Sequence, residues 1–202
     1  MSTNPITTDY VTALDWAATL HASQFRKGTT VPYVSHLLRV SATVWEYGGD
    51  TTQAIAGLLH DGPEDHGGQA CLDEIARLFG PEVAGIVEDC SDSLVDTDAG
   101  QEKQDWQLRK EHHLQHLAEV SNQVALVVVA DKLDNLESIV RDVDTVGLTA
   151  VMARFNAGGD SQVWFYRSVA DVLRSKVSPV LMRRYDEALQ RLASQVESGE
   201  RS

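Results

Sequence analysis

The chain has 202 residues, of which 43% are hydrophobic, and its formal net charge is −13. This length and composition predict one globular domain with a substantial core and argue against an intrinsically disordered protein. The negative charge argues against a nucleic-acid partner, because phosphate backbones are bound by clustered Lys and Arg, but it is compatible with a small anionic substrate that senses mainly its local site.

The sequence carries no signal for export or membrane insertion. No apolar stretch approaches the roughly 18 residues that a membrane-spanning helix needs, and residues 1–10 lack the basic and apolar regions of a signal peptide. Cys71 and Cys90 have no CxxC partner, which is typical of reduced thiols. We therefore expect a cytoplasmic protein with no membrane partner, and a homo-oligomer is compatible with the sequence.

Apolar residues recur at helical spacing along most of the chain, which predicts an all-α fold. In the first helix the apolar positions are Val11, Leu14, Ala17, Ala18 and Leu20, and in the second Leu37, Leu38, Val40 and Val44 are predicted to face the core. Thr7 and Thr8 are candidate N-caps, Gly28 and Gly80 are candidate helix ends, and Pro81 suits a first helical position. The predicted helices cover residues 9–25, 34–45, 51–60, 72–79, 82–90, 105–120, 123–141, 161–174 and 179–196.

Two segments are less regular. Residues 124–130 are rich in β-branched side chains and alone would also fit a buried strand, but the helical spacing that continues through Leu133, Leu136 and Ile139 favours a central helix. The polar segment 92–104 is predicted to be a loop and a candidate lid. We assign residues 1–8 and 197–202 to terminal tails and residues 9–196 to a single domain.

Polar groups that are costly to bury interrupt the apolar faces of three predicted helices. His36 lies on the second helix, His60 and Asp61 end the third, and Asp131 interrupts the central one. Each has an ordinary explanation alone, such as a core histidine or a helix-end carboxylate. Together they form a mixed nitrogen and oxygen set that suits Mn²⁺, Fe²⁺ or Zn²⁺ better than Ca²⁺. Neighbours on a helix diverge by about 100°, so His60 and Asp61 converge only if the helix breaks at Gly62-Pro63.

Five short motifs occur in the order found in Rel/SpoT-type hydrolase domains, which belong to the HD superfamily of metal-dependent phosphohydrolases. They are FRKG at 25–28, PYVSH at 32–36, LLHDGPED at 58–65, FG at 79–80 and ADKLDNL at 130–136. Because the chain shows no synthetase or regulatory domain, it resembles the stand-alone small alarmone hydrolases. The resemblance covers residues 9–176 and implies a single-domain HD-type helical bundle.

The resemblance also implies an activity, a cofactor and a set of site residues. The activity is Mn²⁺-dependent hydrolysis of the 3′-pyrophosphate of the guanosine alarmones (p)ppGpp, with release of pyrophosphate. The helix around Tyr166 matches one near the base pocket of the relatives, where Trp164, Phe165 and Tyr166 would offer an aromatic wall. Matched by position, the metal ligands are His36, His60, Asp61 and Asp131, the catalytic carboxylates are Glu64 and Asp65, and the substrate contacts are Arg26, Lys27, Asn135 and Tyr166.

The chain departs from its relatives at two positions. Gly62-Pro63 replaces small aliphatic residues, which leaves the placement of Glu64 and Asp65 open, and Asp134 replaces His or Tyr and adds negative charge near the expected sugar site. His21 is interpreted as a supporting residue. His112 and His116 have a spacing that can chelate a metal, but their charged neighbours favour a solvated face.

Three alternative functions remain open at this level. The same metal site would also serve another nucleotide substrate, such as ppApp, the 2′-phosphate of NADPH or an ordinary nucleotide. A non-catalytic sensor that binds an alarmone without cleaving it would not need Glu64 and Asp65. A purely structural helical protein would leave the cluster of histidines and carboxylates without a cation, at a high desolvation cost.

Overall fold

The fold is all-α, as predicted. The structure is a computed structural model that describes residues 6–92, 94 and 105–199, and an isolated β-bridge between Phe25 and Pro32 is the only extended pairing within them. The helices are α1 (Thr8–Leu20), α2 (Val34–Glu46), α3 (Thr51–Leu59), α4 (Gly62–Asp65), α5 (Gly68–Phe79), α6 (Pro81–Cys90), α7 (Trp106–Glu119), α8 (Asn122–Val146), α9 (Leu148–Met152), α10 (Gly159–Leu173) and α11 (Pro179–Gly199).

Helix α8 is the central element of the bundle. It contacts α2, α3, α6, α10 and α11, and every residue from 124 to 130 is buried. A run that is apolar on all sides is typical of a helix surrounded by others. The strand alternative for this segment was therefore wrong, and the helix interpretation is confirmed.

Helices α2 and α3 pack closely because Gly57 has no side chain. A Cβ atom at Gly57 would lie 3.3 Å from the backbone nitrogen and Cα of Ser41. Helix α3 begins at Asp50, whose side chain accepts from the backbone N–H of Gln53 in a capping box. It ends at Leu59, and α4 begins at Gly62, so the predicted break is present but lies at His60 and Asp61, and Gly62 and Pro63 begin the next helix.

Several predicted boundaries were wrong. Helix α1 ends at Leu20 rather than residue 25, because the chain turns into a loop closed by hydrogen bonds from Arg26 N to Val31 O and from Tyr33 N to Gln24 O. Gly28, with φ of +70°, lies in this loop and does not cap α1. Helix α5 begins at residue 68, four residues before the predicted 72, and α8 extends five residues beyond 141. The one-turn helices α4 and α9 were not predicted, because they are too short to show a period.

Two residues of the predicted apolar patterns are exposed. Val11 and Leu38 have relative exposures of 54% and 41%. Helix α1 instead buries Tyr10, Ala13 and Ala17, a face rotated by one residue from the predicted one. Leu37, Val40 and Val44 are fully buried as expected, and so Leu38 falls outside the narrow buried face of α2.

The remaining expectations on chain organisation are only partly covered by the described residues. The candidate lid at 92–104 lies outside them except for Asp92 and Leu94. The first five residues of the N-terminal tail also lie outside, whereas residues 197–199 of the assigned C-terminal tail belong to α11. Cys71 and Cys90 are free and buried. No described helix combines the length and apolar character needed to cross a bilayer.

Candidate metal centre and adjoining cavities

The four predicted metal ligands converge between α2, α8 and the end of α3. The Nε2 atom of His36 lies 3.2 Å from Oδ1 of Asp131 and 3.3 Å from Oδ2 of Asp61. The Nε2 atom of His60 lies 3.1 Å from the same oxygen of Asp61 and 3.6 Å from that of Asp131. Candidate ligand atoms of His36, His60 and Asp131 all lie within 4.8 Å of one another. The four side chains therefore surround one small space.

Both imidazoles are fixed through Nδ1. Nδ1 of His36 is 2.6 Å from Oδ2 of Asp134, and Nδ1 of His60 is 2.9 Å from the carbonyl oxygen of Gly57. With the protons at Nδ1, each ring turns the lone pair of Nε2 toward the shared space. Within the described residues both Nε2 atoms are buried without a hydrogen-bond partner. Two orphaned nitrogens beside two carboxylates are a donor set that fits a divalent transition metal.

The two ligand carboxylates are also held in place. The Tyr33 hydroxyl donates to Oδ2 of Asp61 over 2.6 Å. Asp131 accepts from Lys132 Nζ at 2.6 Å and from Asn135 Nδ2 at 2.5 Å. Tyr33 and Lys132 lie within the sequence motifs, but no role is predicted for them there, because a hydrogen bond to a ligand does not follow from residue order.

The electrostatics of this centre favour a cation. Burial disfavours the charged form of His36, but hydrogen bonds with Asp131, Asp134 and Asp61 outweigh it and raise the pKa of His36 to about 9. Burial likewise opposes ionisation of Asp61, yet His60 and His36 hold the pKa of Asp61 well below its usual range. The carboxylates thus stay ionised and recruit positive charge, which protons or a divalent ion would supply in competition.

Asp134 contacts one of the candidate metal ligands. Its carboxylate accepts a hydrogen bond from His36 Nδ1 and contacts the guanidinium of Arg39. Arg26 Nη2 lies 3.8 Å away, and the Asp134 side chain is only 7% exposed. The effect of this negative charge near the expected sugar site stays a prediction. Asp134 orients His36, a candidate metal ligand, through the ring nitrogen that faces away from the ligand cluster.

The predicted catalytic carboxylates occupy the one-turn helix α4. Gly62 fits a crowded position there, since a Cβ atom would lie 3.3 Å from Sγ of Cys71. Glu64 accepts from the backbone N–H of Asp92 at 2.8 Å. Burial, followed by the charges of Asp92 and Asp61, raises the pKa of Glu64 to about 7. A carboxyl group with this pKa changes charge near neutral pH.

Asp65 is anchored through a chain of polar contacts that begins just after α1. Gln24 Nε2 donates to Oδ2 of Asp65 at 2.8 Å, and Oε1 of Gln24 lies 2.6 Å from His21 Nδ1 and 3.2 Å from His66 Nε2. His21 also stacks on Tyr33, with ring centroids 5.2 Å apart. His21 thus touches the residues that hold Asp61 and Asp65 and is not itself in the ligand cluster.

The four predicted substrate contacts line one cavity of about 170 Å³ beside the metal centre. Arg26 Nη2 donates to Asn135 Oδ1 at 2.9 Å, and Asn135 donates in turn to Asp131, which joins the cavity wall to the centre. Burial raises the pKa of Tyr166 to about 12, so its hydroxyl stays neutral. The predicted residues in the wall are Arg26, Lys27, Asn135 and Tyr166, and the sequence did not indicate Tyr33, Asp142, Arg154 or Phe155.

A second cavity of about 220 Å³ shares Asn135, Phe155 and Tyr166 with the first. Lys110 and Lys132 line it, and Lys110 Nζ lies 4.5 Å from the ring centroid of Phe165. Both Lys110 and Arg109 contact the buried carboxylate of Asp92. Arg109 and Lys110 were not predicted as site residues, because the polar residues around them suggested a solvated helix face.

The aromatic wall and the histidine patch are only partly as expected. Phe165 and Tyr166 line these cavities, whereas Trp164 packs against Trp106 with ring centroids 6.2 Å apart. His116 lies 3.2 Å from Asp89, and His112 belongs to no cluster of metal-type ligands among the described residues. His113 is buried rather than solvated, and burial lowers its pKa to about 3.

Comparison with known proteins gives consistent results. A family model described as an HD domain matches residues 13–151, a range that includes the four ligand candidates. Two similar proteins are named guanosine-3′,5′-bis(diphosphate) 3′-pyrophosphohydrolase MESH1. The Drosophila melanogaster protein is 34% identical over 69% of this chain and 73% of its own length, and the Xenopus tropicalis protein is 36% identical over 64% and 68%.

Similarity extends to solved structures. One, described as a metazoan orthologue of SpoT that hydrolyses ppGpp, superposes with a TM-score of 0.70 at 30% identity. The match covers 94% of this chain and 98% of that one. A crystal structure of a Listeria monocytogenes protein matches with a TM-score of 0.65 at 26% identity, over 81% of this chain and 99% of its own.

Proposed function

We propose, from the premise that this chain belongs to the HD-domain family, that it is a divalent-metal-dependent hydrolase of guanosine alarmones. It removes the 3′-pyrophosphate of (p)ppGpp and releases pyrophosphate, the activity that its similar proteins are named for. We assign Mn²⁺ as the ion and residues 9–196 as the catalytic domain.

The observation that carries this proposal is the position of the ligand cluster at the wall of a basic cavity. Asn135 belongs to both, since its amide donates to Asp131 and its carbonyl oxygen accepts from Arg26. A substrate in this cavity lies beside two cations of its wall, Arg26 and Lys27. This arrangement suits a polyanionic nucleotide with a phosphate to be cleaved at its inner end.

His36, His60, Asp61 and Asp131 would hold the ion. When bound, a divalent cation supplies Lewis-acid chemistry: it makes water more acidic and offsets negative charge on phosphoryl oxygens. The protein positions its own groups for this task through Tyr33 on Asp61 and Asp134 on His36. These contacts fix the ligands before substrate arrives, which lowers the cost of reorganisation during the reaction.

Glu64 and Asp65 have different roles toward the attacking water. With a pKa near 7, Glu64 accepts a proton at neutral pH and is the general base. Asp65, held by Gln24, orients the same water by accepting its second hydrogen. Arg26 donates a planar fork to phosphate oxygens, and Lys27 contributes a point charge beside it.

The test is a substrate panel with purified protein loaded with Mn²⁺. We expect ppGpp to yield GDP and pyrophosphate, and pppGpp to yield GTP and pyrophosphate, as measured by anion-exchange chromatography. The panel also contains ppApp, NADPH and ordinary nucleoside monophosphates. Turnover confined to NADPH or to monophosphates would refute the alarmone assignment.

A calorimetric titration with ppGpp separates the enzyme from a sensor. Tight binding followed by recovery of intact ppGpp would indicate a sensor and contradict hydrolysis. Glu64→Gln is the matched control, since the geometry predicts that it binds ppGpp as the wild type does and cleaves it far more slowly.

A further inference from the structure

The geometry points to Asp142 and Arg154 as the pair that reads the base of the substrate and selects guanine over adenine. Both residues line the cavity beside the metal centre, and they form an ion pair with Arg154 Nη1 2.6 Å from Asp142 Oδ2. The inference rests on the proposed function, because it assumes a nucleotide whose 3′-diphosphate lies at the ligand cluster.

Along α8, the separation of Asp142 from the ligand cluster matches the length of an extended nucleotide. Asp131, Asn135, Ser138 and Asp142 follow one another at steps of four, three and four residues, which places them on one face of the helix. A rise of about 1.5 Å per residue separates the first from the last by about 16 Å. The face thus runs from the reacting phosphate, past the sugar, to the edge of a base in an extended nucleotide.

The far end of the cavity has the surfaces that a purine requires. Ile139, Val151 and Phe155 provide apolar walls, and the carboxylate of Asp142 and the guanidinium of Arg154 provide a polar edge. A mostly apolar cavity with a few placed polar groups is the usual architecture of a small-molecule site. The Asp142 and Arg154 side chains are 24% and 16% exposed, so both keep access to the cavity while being largely shielded from water.

Arg154 is held in place by the loop that follows α1. Its Nη1 also donates to the carbonyl oxygen of Lys27 at 3.3 Å. The side chain crosses directly over Gly28, where an added Cβ atom would lie 2.6 Å from both Cδ and Nε of Arg154. Because Gly28 has no side chain, Arg154 can cross the loop that follows α1 and contact both Lys27 and Asp142.

The pair matches guanine better than adenine. The pairing edge of guanine offers an acceptor, O6, next to two donors, N1–H and the N2 amino group. The carboxylate of Asp142 accepts from the two donors, and Arg154 donates to O6. Adenine offers a single donor beside an acceptor, so it leaves an acceptor of Asp142 unpaired in a shielded site, and sites of this kind reject ligands that lack the matching group.

The experiment compares kcat/KM for ppGpp and ppApp in wild type and in Asp142→Asn, with Mn²⁺ bound. We expect the wild type to prefer ppGpp and the variant to lose between about 5- and 150-fold on ppGpp, the range for one bidentate contact, with a much smaller change on ppApp. The measured quantity is the ratio of the two substrates, which a general loss of folding or of metal does not alter.

Asp144→Asn is the matched control. Asp144 lies on the same helix and also pairs with an arginine, Arg191 at 2.9 Å, but it is more than half exposed and outside this cavity. Its substitution should leave both activities unchanged. Arg154→Met provides an independent variant, which should also reduce the preference for ppGpp if Asp142→Asn does not fold.

The outcomes separate this inference from the proposed function. A wild type that cleaves neither alarmone refutes the function itself. A wild type that cleaves ppGpp and ppApp equally, or variants that slow both substrates by the same factor, overturns the base-reading role while the hydrolase assignment stands.

Discussion

The metal centre and the substrate cavity are neighbours built in different ways. In the centre, short side chains from three rigid helical elements meet, and each is fixed by a second partner, such as Gly57 for His60 and Tyr33 for Asp61. In the cavity, long side chains such as Arg26 and Arg154 extend from a loop and a helix end. The difference indicates that the chemistry is fixed by the bundle, whereas the choice of nucleotide depends on parts that are easier to change.

The strongest test of this contrast removes a candidate ligand from the metal centre. Asp61→Ala deletes the carboxylate that lies 3.3 and 3.1 Å from the two imidazoles. We expect ppGpp hydrolysis in Mn²⁺ to fall at least about 10³-fold, since several kcal/mol of charge stabilisation would be lost. Metal content after dialysis, measured by atomic emission, should fall with it. Retained turnover in Asp61→Ala would refute the ligand assignment.

The next effect concerns proton transfer. Glu64→Gln keeps the shape of the side chain and removes its basicity, so we expect a loss of at least about 10²-fold in kcat. Because the pKa of Glu64 is raised to about 7, the base is protonated below that pH and ionised above it. The rate should therefore increase with pH up to about 7, or to a lower value if a nearby cation favours the carboxylate.

The pH profile of Glu64→Gln provides the control for that prediction. The rising limb should be absent in the variant, whose remaining activity should vary little between pH 5 and 7 in a measurement at saturating Mn²⁺. A variant that keeps the same limb would assign the titration to another group and contradict the role of Glu64.

A smaller effect is expected for a residue that supports a candidate ligand but is not itself one. Asp134→Asn weakens the hold on His36 Nδ1, and such supporting contacts contribute about 10- to 100-fold in metal affinity. Isothermal titration with Mn²⁺ should show this loss, and activity should return at high Mn²⁺. Glu137→Gln is the control, since Glu137 lies on the same helix and pairs with Arg184 away from the centre. Unchanged Mn²⁺ affinity in Asp134→Asn would contradict the positioning role.

The same contrast explains what the sequence could predict. The ligand set was accessible because each member is a polar residue on an apolar helix face, and because the break before Gly62-Pro63 follows from local geometry. The role of Asp134 was not accessible. It depends on a contact with His36 across 98 positions of sequence, and so on the exact packing of α2 against α8.

The cavity was harder to predict for a related reason. Arg154 appeared in the sequence only as part of a helix end and turn, and nothing local indicates that it crosses Gly28 to reach Asp142. Long side chains reach several partners from one backbone position, and tertiary packing decides among them. The boundary errors have the same origin, since the loop after α1 is fixed by contacts such as Tyr33 with Asp61.

The smallest expected effect tests whether the metal centre depends on the N-terminal end of α3, which lies far from the ligands. Asp50→Ala removes the capping box of α3, in which the Asp50 side chain accepts from Gln53 N at 2.9 Å. The loss of such a cap lowers the free energy of unfolding by about 1 kcal/mol, which chemical denaturation can measure. His60 and Asp61 lie at the opposite end of this helix, almost three turns away, so kcat and Mn²⁺ affinity should stay at wild-type values. A variant that loses both stability and metal affinity would mean that the ligands are set by the whole length of α3. A variant that loses stability alone would locate the rigidity of the centre in its local contacts, chiefly the hydrogen bond from His60 Nδ1 to Gly57 and the one from Tyr33 to Asp61.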